Sequence, residues 1–157
     1  MTNNLHTQIL QLIPHSAPFR FIDSIITVQQ THIVGTYHLQ PSLDFYKGHF
    51  AHYPITPGVI LTEIAAQIGL VAFGIYLSKA YEITAPTPAV TLLTDCNLKY
   101  KLPVPPNTTI TVTSTKLLYA HNRLKCSVIL HNQLQQVVCT GTLGGMVLNK
   151  LIIPHIG

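Results

Sequence analysis

A histidine, a glutamate and the first turn of a helix lie close together in this chain, and together they offer proton chemistry beside a carbonyl. His49 stands in Gly48-His49-Phe50, within a loop broken by Pro41, Gly48, Pro54 and Pro57. Glu63 is one of two glutamates and the sole charge between Pro57 and Ser78. A carboxylate among apolar residues is costly unless partnered, and desolvation favours its protonated form. The alternative is a second-turn Glu that faces water and is favoured there by the helix dipole. Gln67, one turn further on the same face, is placed to hold the carboxyl by hydrogen bonding. Gly58 and Val59 supply the helix's first amides, which lack internal partners and carry partial positive charge. Gly58 also lets a ligand's carbonyl approach the backbone. A base (His49), an acid (Glu63) and amide donors (Gly58, Val59) are what proton abstraction next to a carbonyl requires. Spacing alone leaves open whether these groups converge.

The remaining titratable residues carry less. His49 and His52 are three apart, but no third ligand stands at useful spacing, so neither a metal nor another cofactor is expected. His15, His32, His38, His121, His131 and His155 read as surface or turn residues. Cys96, Cys126 and Cys139 are odd in number, form no C-x-x-C, and sit in apolar stretches. They read as buried small hydrophobes in a reduced protein.

These residues need a scaffold, and the periodicities supply one. Leu5, Ile9, Leu12 and Ile13 predict a short amphipathic helix over 4–13. Residues 19–28 and 32–39, rich in β-branched and aromatic side chains, predict a hairpin. Thr56-Pro57-Gly58 predicts the start of a long helix with Thr56 at its cap, running to about Ser78, with Pro86 and Pro88 forbidding continuation. Strands are expected over 90–102, 109–119, 124–130 and 133–142, joined by turns near 120–122 and 131–132. A helix apolar nearly all round must be buried, and a curved antiparallel sheet wrapped around it would bury it. The expected class is α+β, as one domain over 1–157.

Composition excludes several functions. Charged residues make up 9% of the 157 and hydrophobic ones 47%, which excludes disorder. So few charges leave apolar surface to hide, most simply against another copy of the chain. The net charge of +4 is too small and scattered for nucleic acid. The most apolar run, residues 64–77, falls short of the roughly 20 residues a membrane span needs. The first residues show no basic patch followed by an apolar run, so a cytoplasmic protein is expected.

The stretch from Gly48-His49-Phe50 through Thr56-Pro57-Gly58-Val59 to Glu63 and Ala66-Gln67 resembles the core motif of (3R)-hydroxyacyl-acyl-carrier-protein dehydratases of the FabZ/FabA type. Ile13-Pro14-His15-Ser16-Ala17-Pro18-Phe19, running to Ile22-Asp23, resembles the family's opening segment. Lys99-Tyr100-Lys101-Leu102-Pro103-Val104-Pro105-Pro106 resembles a later one. The resemblance implies a hot-dog fold, in which a central helix is wrapped by an antiparallel sheet and two copies pair, with scope for a higher oligomer. It implies that His49 of one copy meets Glu63 of the other on a 3-hydroxyacyl thioester delivered by acyl carrier protein. Gly58 would hold the enolate oxygen, with Val59, Phe50 and Gln67 in the substrate-binding wall. Ile64, Ile68 and Val71 are candidates to line the acyl chain's path. Lys47, Arg20, Lys99 and Lys101 are candidates for a basic rim facing an acidic carrier. Glu63 rather than Asp points to the branch that dehydrates without isomerising.

The chain departs from the motif at Ala51, His52 and Thr56, and around it at Ser16, Arg20 and Ser24. None replaces the acid or the base, so the departures bear on tunnel shape and carrier docking. Two other functions compete: a hot-dog thioesterase and a non-catalytic acyl-binding module. The His49…Glu63 pattern argues against both.

Overall fold

The apolar period of the first residues builds helix α1, Thr2–Leu12. A computed structural model of the chain describes residues 2–83 and 90–148. The expected breaks at Pro86 and Pro88 lie outside them. Ile9 and Ile13 are buried in the core. The last carbonyls of a helix lack partners within it. Here the Arg20 guanidinium donates to the Leu10 carbonyl at 2.8 Å and to the His15 carbonyl beyond the helix at 3.4 Å. Arg20 thus closes a helix end instead of standing free on a basic rim.

Strands β1 (Ser24–Val28) and β2 (His32–Leu39) form the expected hairpin. The first strand is shorter than its composition suggests. Phe19 and Phe21 stay out of the ladder because their backbone bonds to a helix side chain: the Phe21 amide donates to Gln67 Oε1 at 2.6 Å, and Gln67 Nε2 donates to the Phe19 carbonyl at 3.0 Å, whereas the Asp23 amide already reaches the Thr36 carbonyl of β2 at 2.8 Å.

Helix α2 spans Gly58–Leu77. Thr56 does not cap it. Its hydroxyl bonds the Tyr46 hydroxyl at 2.6 Å in a buried position, and Pro57 takes the cap place with no side-chain bond. The helix is 20 residues long, enough to cross a bilayer, so the shortness of the apolar run does not by itself exclude a span. Burial decides: 72% of its most apolar window is enclosed by protein, as in the core helix of a soluble domain. Within it Gln67–Ala72 is wound as π-helix. Wholly buried Ser114 donates to the Gly69 carbonyl there at 3.1 Å, so a backbone group in the irregular turn keeps a partner.

The other face of the core is the sheet. Strands β3 (Val90–Tyr100), β4 (Thr108–Ala120), β5 (Arg123–His131) and β6 (Val137–Leu148) join the hairpin in the antiparallel order β1-β2-β4-β5-β6-β3. Alternation sets which side chains meet the helix: Ile110 and Val112 from β4, and Leu124, Cys126, Val128 and Leu130 from β5, are all buried. Strand β6 starts later and runs further than expected. The Asn132 side chain accepts from the Leu134 and Gln136 amides and closes a turn over residues whose composition suggests strand.

Strand β3 ends the sheet, hydrogen-bonded to β6 alone. Leu92 and Leu93 are each 44% exposed and Tyr100 49%. Cys96 is also exposed, contrary to its apolar sequence context, because it lies on this outer strand. Cys126 and Cys139 are buried as expected, and burial pushes both thiols up to about 11.

Where β6 crosses β3, Gly141 pairs with Leu98 at a φ of +156°, and a Cβ there would fall on the Asn97 carbonyl oxygen. Rigid backbone cannot yield to it. Gly141→Ala is expected to cost about 2–3 kcal/mol and lower Tm by about 5–10 °C in a thermal melt.

Candidate functional site

His49 follows a short 3-10 turn, Asp44–Lys47, and is fixed by its own loop. Its amide donates to the Phe45 carbonyl at 2.9 Å, and its carbonyl accepts from Ile55 at 2.9 Å. The ring's Nδ1 lies 2.8 Å from the Ile55 carbonyl oxygen. A carbonyl only accepts, so Nδ1 carries the proton, and in the neutral ring Nε2 is left with a lone pair. Phe50 stacks on this ring at a centroid distance of 4.2 Å and is itself exposed.

Glu63 sits in the second turn of α2, with 24% of its side chain exposed. It is neither deep in the core nor free in water. Gln67, fully buried, donates to Glu63 Oε1 at 2.9 Å through the same amide nitrogen that serves the Phe19 carbonyl. The same-face pairing expected from sequence is present, and Gln67 also grips the Phe19–Phe21 backbone. His15 Nε2 lies 3.5 Å from the same carboxylate oxygen. Among the described residues, Oε2 has no hydrogen-bond partner. A cavity of about 60 Å³ opens beside the carboxyl, walled by Ala66, Leu70, Val71 and Leu93 and bounded by His15 and Thr91. Val71 faces this cavity, whereas Ile64 and Ile68 are wholly buried and line none of its wall.

His15 does not behave as a turn residue. Burial pushes its imidazole below its ordinary value; the Glu63 carboxylate opposes this and the Arg20 charge adds to it. Sequence reasoning missed His15; the one signal that bears on it is its place in the Ile13-Pro14-His15 segment of the resemblance, not its spacing from Glu63.

Gly58 and Val59 open α2, and Val59 is 74% exposed. The first internal bonds of this end run from the Ile60 and Leu61 amides to the Pro57 carbonyl. The two preceding amides have no acceptor among the described residues. The Tyr100 ring covers Gly58, 3.3 Å from where a Cβ would stand. The Tyr100 hydroxyl bonds Thr62 Oγ1 at 2.6 Å, and Thr62 in turn donates to the Gly58 carbonyl at 3.1 Å. A cleft of about 280 Å³ lies here between the helix start and residues 100–104. Lys99 and Lys101 are exposed near it, and Lys47 is paired with Asp44 at 2.8 Å.

Within one chain His49 and Glu63 are not brought together. His49 is absent from the wall of the Glu63 cavity, and no bond or ion pair joins the two among the described residues. No group of three or more His, Cys, Asp or Glu in a metal-holding arrangement occurs among those residues either.

A single long helix held in the curve of a six-stranded antiparallel sheet is a hot-dog fold, and solved structures share it. The dehydratase heterocomplex ApeI:P from Xenorhabdus doucetiae matches with a TM-score of 0.75 at 16% identity, over 90% of this chain and 91% of that one. Thioesterase HI1161 from Haemophilus influenzae matches with a TM-score of 0.61 at 19% identity, over 92% and 91%. In sequence, the chain is 42% identical over 66 residues to the 3-hydroxyacyl-[acyl-carrier-protein] dehydratase FabZ of Anoxybacillus flavithermus, 41% of this chain and 46% of that protein. The FabZ of Bacillus cereus is 38% identical over a stretch of the same length. The chain thus spans about half the length of the curated relatives it matches. The family model described as ApeI dehydratase matches residues 25–142, and the chain belongs to this ApeI-like dehydratase family.

Proposed function

We propose that this protein removes water from a 3-hydroxyacyl thioester carried by acyl carrier protein, giving the trans-2-enoyl thioester. His49 Nε2 takes the proton from C2. The C3–O bond breaks, the C2=C3 bond forms, and Glu63, in its acid form, gives its proton to the departing hydroxyl. The electrons that pass through the thioester oxygen are met by the unpaired amide of Gly58 at the positive end of α2, with Val59 beside it. Phe50 and Gln67 complete the substrate wall, Gln67 by holding Glu63. The reaction changes no oxidation state, so side chains and backbone suffice for it. The observation that carries the reading is the state of the two side chains. The His49 proton is anchored on the Ile55 carbonyl, which leaves a free basic nitrogen, and Glu63 is held by one oxygen with the other free.

The site needs a second copy. The long outer edge of β3, with Leu92, Leu93 and Tyr100 exposed along it, suits strand pairing with a partner. Such pairing would set His49 of one copy against Glu63 of the other. The exposed Lys99 and Lys101 suit an acidic carrier. The whole chain then acts as one domain of a cytoplasmic dimer.

The same fold serves proteins named thioesterases, and one assay separates the two chemistries. The protein is given a 3-hydroxyacyl carrier thioester, and enoyl product and free thiol are followed together. Enoyl product without thiol is expected. Thiol release makes the protein a hydrolase, and neither product leaves an acyl-binding module.

A further inference from the structure

The geometry points to His15 as a positioning residue that, with Gln67, pins one oxygen of the Glu63 carboxyl so that the other faces the substrate; this rests on the reading of Glu63 as the proton donor. Gln67 Nε2 donates to Oε1 at 2.9 Å, His15 Nε2 stands 3.5 Å from the same oxygen, at ion-pair rather than hydrogen-bond distance, and no hydrogen bond reaches Oε2 among the described residues. A carboxyl held by a single donor still swings about that bond. A second donor closing the remaining gap from His15 would fix its plane, and loss of such alignment can cost about a hundredfold in rate.

The surroundings of His15 set which nitrogen donates. Its Nδ1 is buried with no hydrogen-bond partner. Nε2 faces a carboxyl oxygen, which accepts from an N–H, and Nδ1 has nothing to donate to, so the proton belongs on Nε2, on the side of Glu63. The charged groups around the ring are Glu63 from α2 and Arg20 from the segment after α1, and burial favours the neutral form that this tautomer needs. Arg20 also bonds the His15 carbonyl, which fixes the backbone that carries the ring. Across the cavity Thr91 Oγ1 is likewise buried and unpartnered.

Two variants test this in the intact protein. His15→Leu keeps bulk and removes the donor, and it should lower kcat about 10- to 100-fold with KM changed by less than about threefold. His15→Gln returns an N–H at a similar reach and should recover kcat to within about fivefold of the parent. The limb of the pH–rate profile that reports the acid should move in His15→Leu and stay in place in His15→Gln. Wild-type kcat and pH profile in His15→Leu, or equal losses in both variants, overturn the proposal.

Imidazole nitrogen NMR on the wild-type protein decides the contact without turnover and serves even where His15→Leu does not fold. The expected spectrum shows His15 as the Nε2–H tautomer near neutral pH, with an Nε2 signal that moves in Glu63→Gln. An Nδ1–H tautomer, or no response to Glu63→Gln, overturns the assignment. A wild-type protein inert on the thioester would strike the dehydratase reading alone, and the nitrogen spectra would still decide His15.

Discussion

His49→Ala and Glu63→Gln should each reduce dehydration by about 10²- to 10⁴-fold without dissolving the proposed dimer, the range expected for loss of a positioned acid or base. Glu63→Gln is the sharper probe. The substituted amide oxygen still accepts from Gln67 Nε2, so the brace seen at 2.9 Å survives while the proton to be donated is gone. His49→Ala removes the ring anchored on the Ile55 carbonyl. Normal turnover in either variant contradicts the assignment. Mixing the two variants asks a further question, since each copy would lend His49 to one site and Glu63 to the other. In a mixed dimer one site then has neither group and the other has both. Random re-pairing of equal amounts should restore about a quarter of the parent activity. A site made within one chain would gain nothing from mixing.

Gln67→Leu should carry the second large effect, about 3 kcal/mol of stability together with most of the activity. The side chain is fully buried and serves three partners at once: the Phe21 amide, the Phe19 carbonyl and Glu63. Leucine fills a comparable volume, so the loss is in polar satisfaction rather than packing. It strands a buried N–H, a fault that alone costs about 1–3 kcal/mol. It also frees the Phe19–Phe21 segment from the helix and leaves the Glu63 carboxyl without its closest donor. Thermal melts should show Tm lowered by about 6–12 °C in a chain of this size. A stable Gln67→Leu protein with full activity would remove Gln67 from both tasks.

Periodicity made most of the scaffold legible. Strand β2 falls on the residues its composition indicates, the inward row of β5 is the one its alternation gives, and α2 ends one residue from the expected stop. These are local patterns read by local rules. The failures have tertiary causes. Phe19 and Phe21 look like strand until Gln67, more than forty positions away, claims their backbone. Thr56 looks like a cap until Tyr46 takes its hydroxyl, and Cys96 looks buried until its strand turns out to end the sheet. In the site, the Gln67–Glu63 pair was legible because it lies one helical turn apart. His15 reaches Glu63 only after the chain has folded back from α1, and no spacing rule announces that.

The outer strand has a consequence for handling the protein. If β3 pairs as proposed, each nascent molecule carries an adhesive seam eleven residues long until it meets its mate. Such a seam welcomes any extended peptide, so folding yield depends on how fast the right mate is found. Substitutions aimed at loosening the pairing should therefore show up first as insoluble material in the pellet rather than as a tractable monomer.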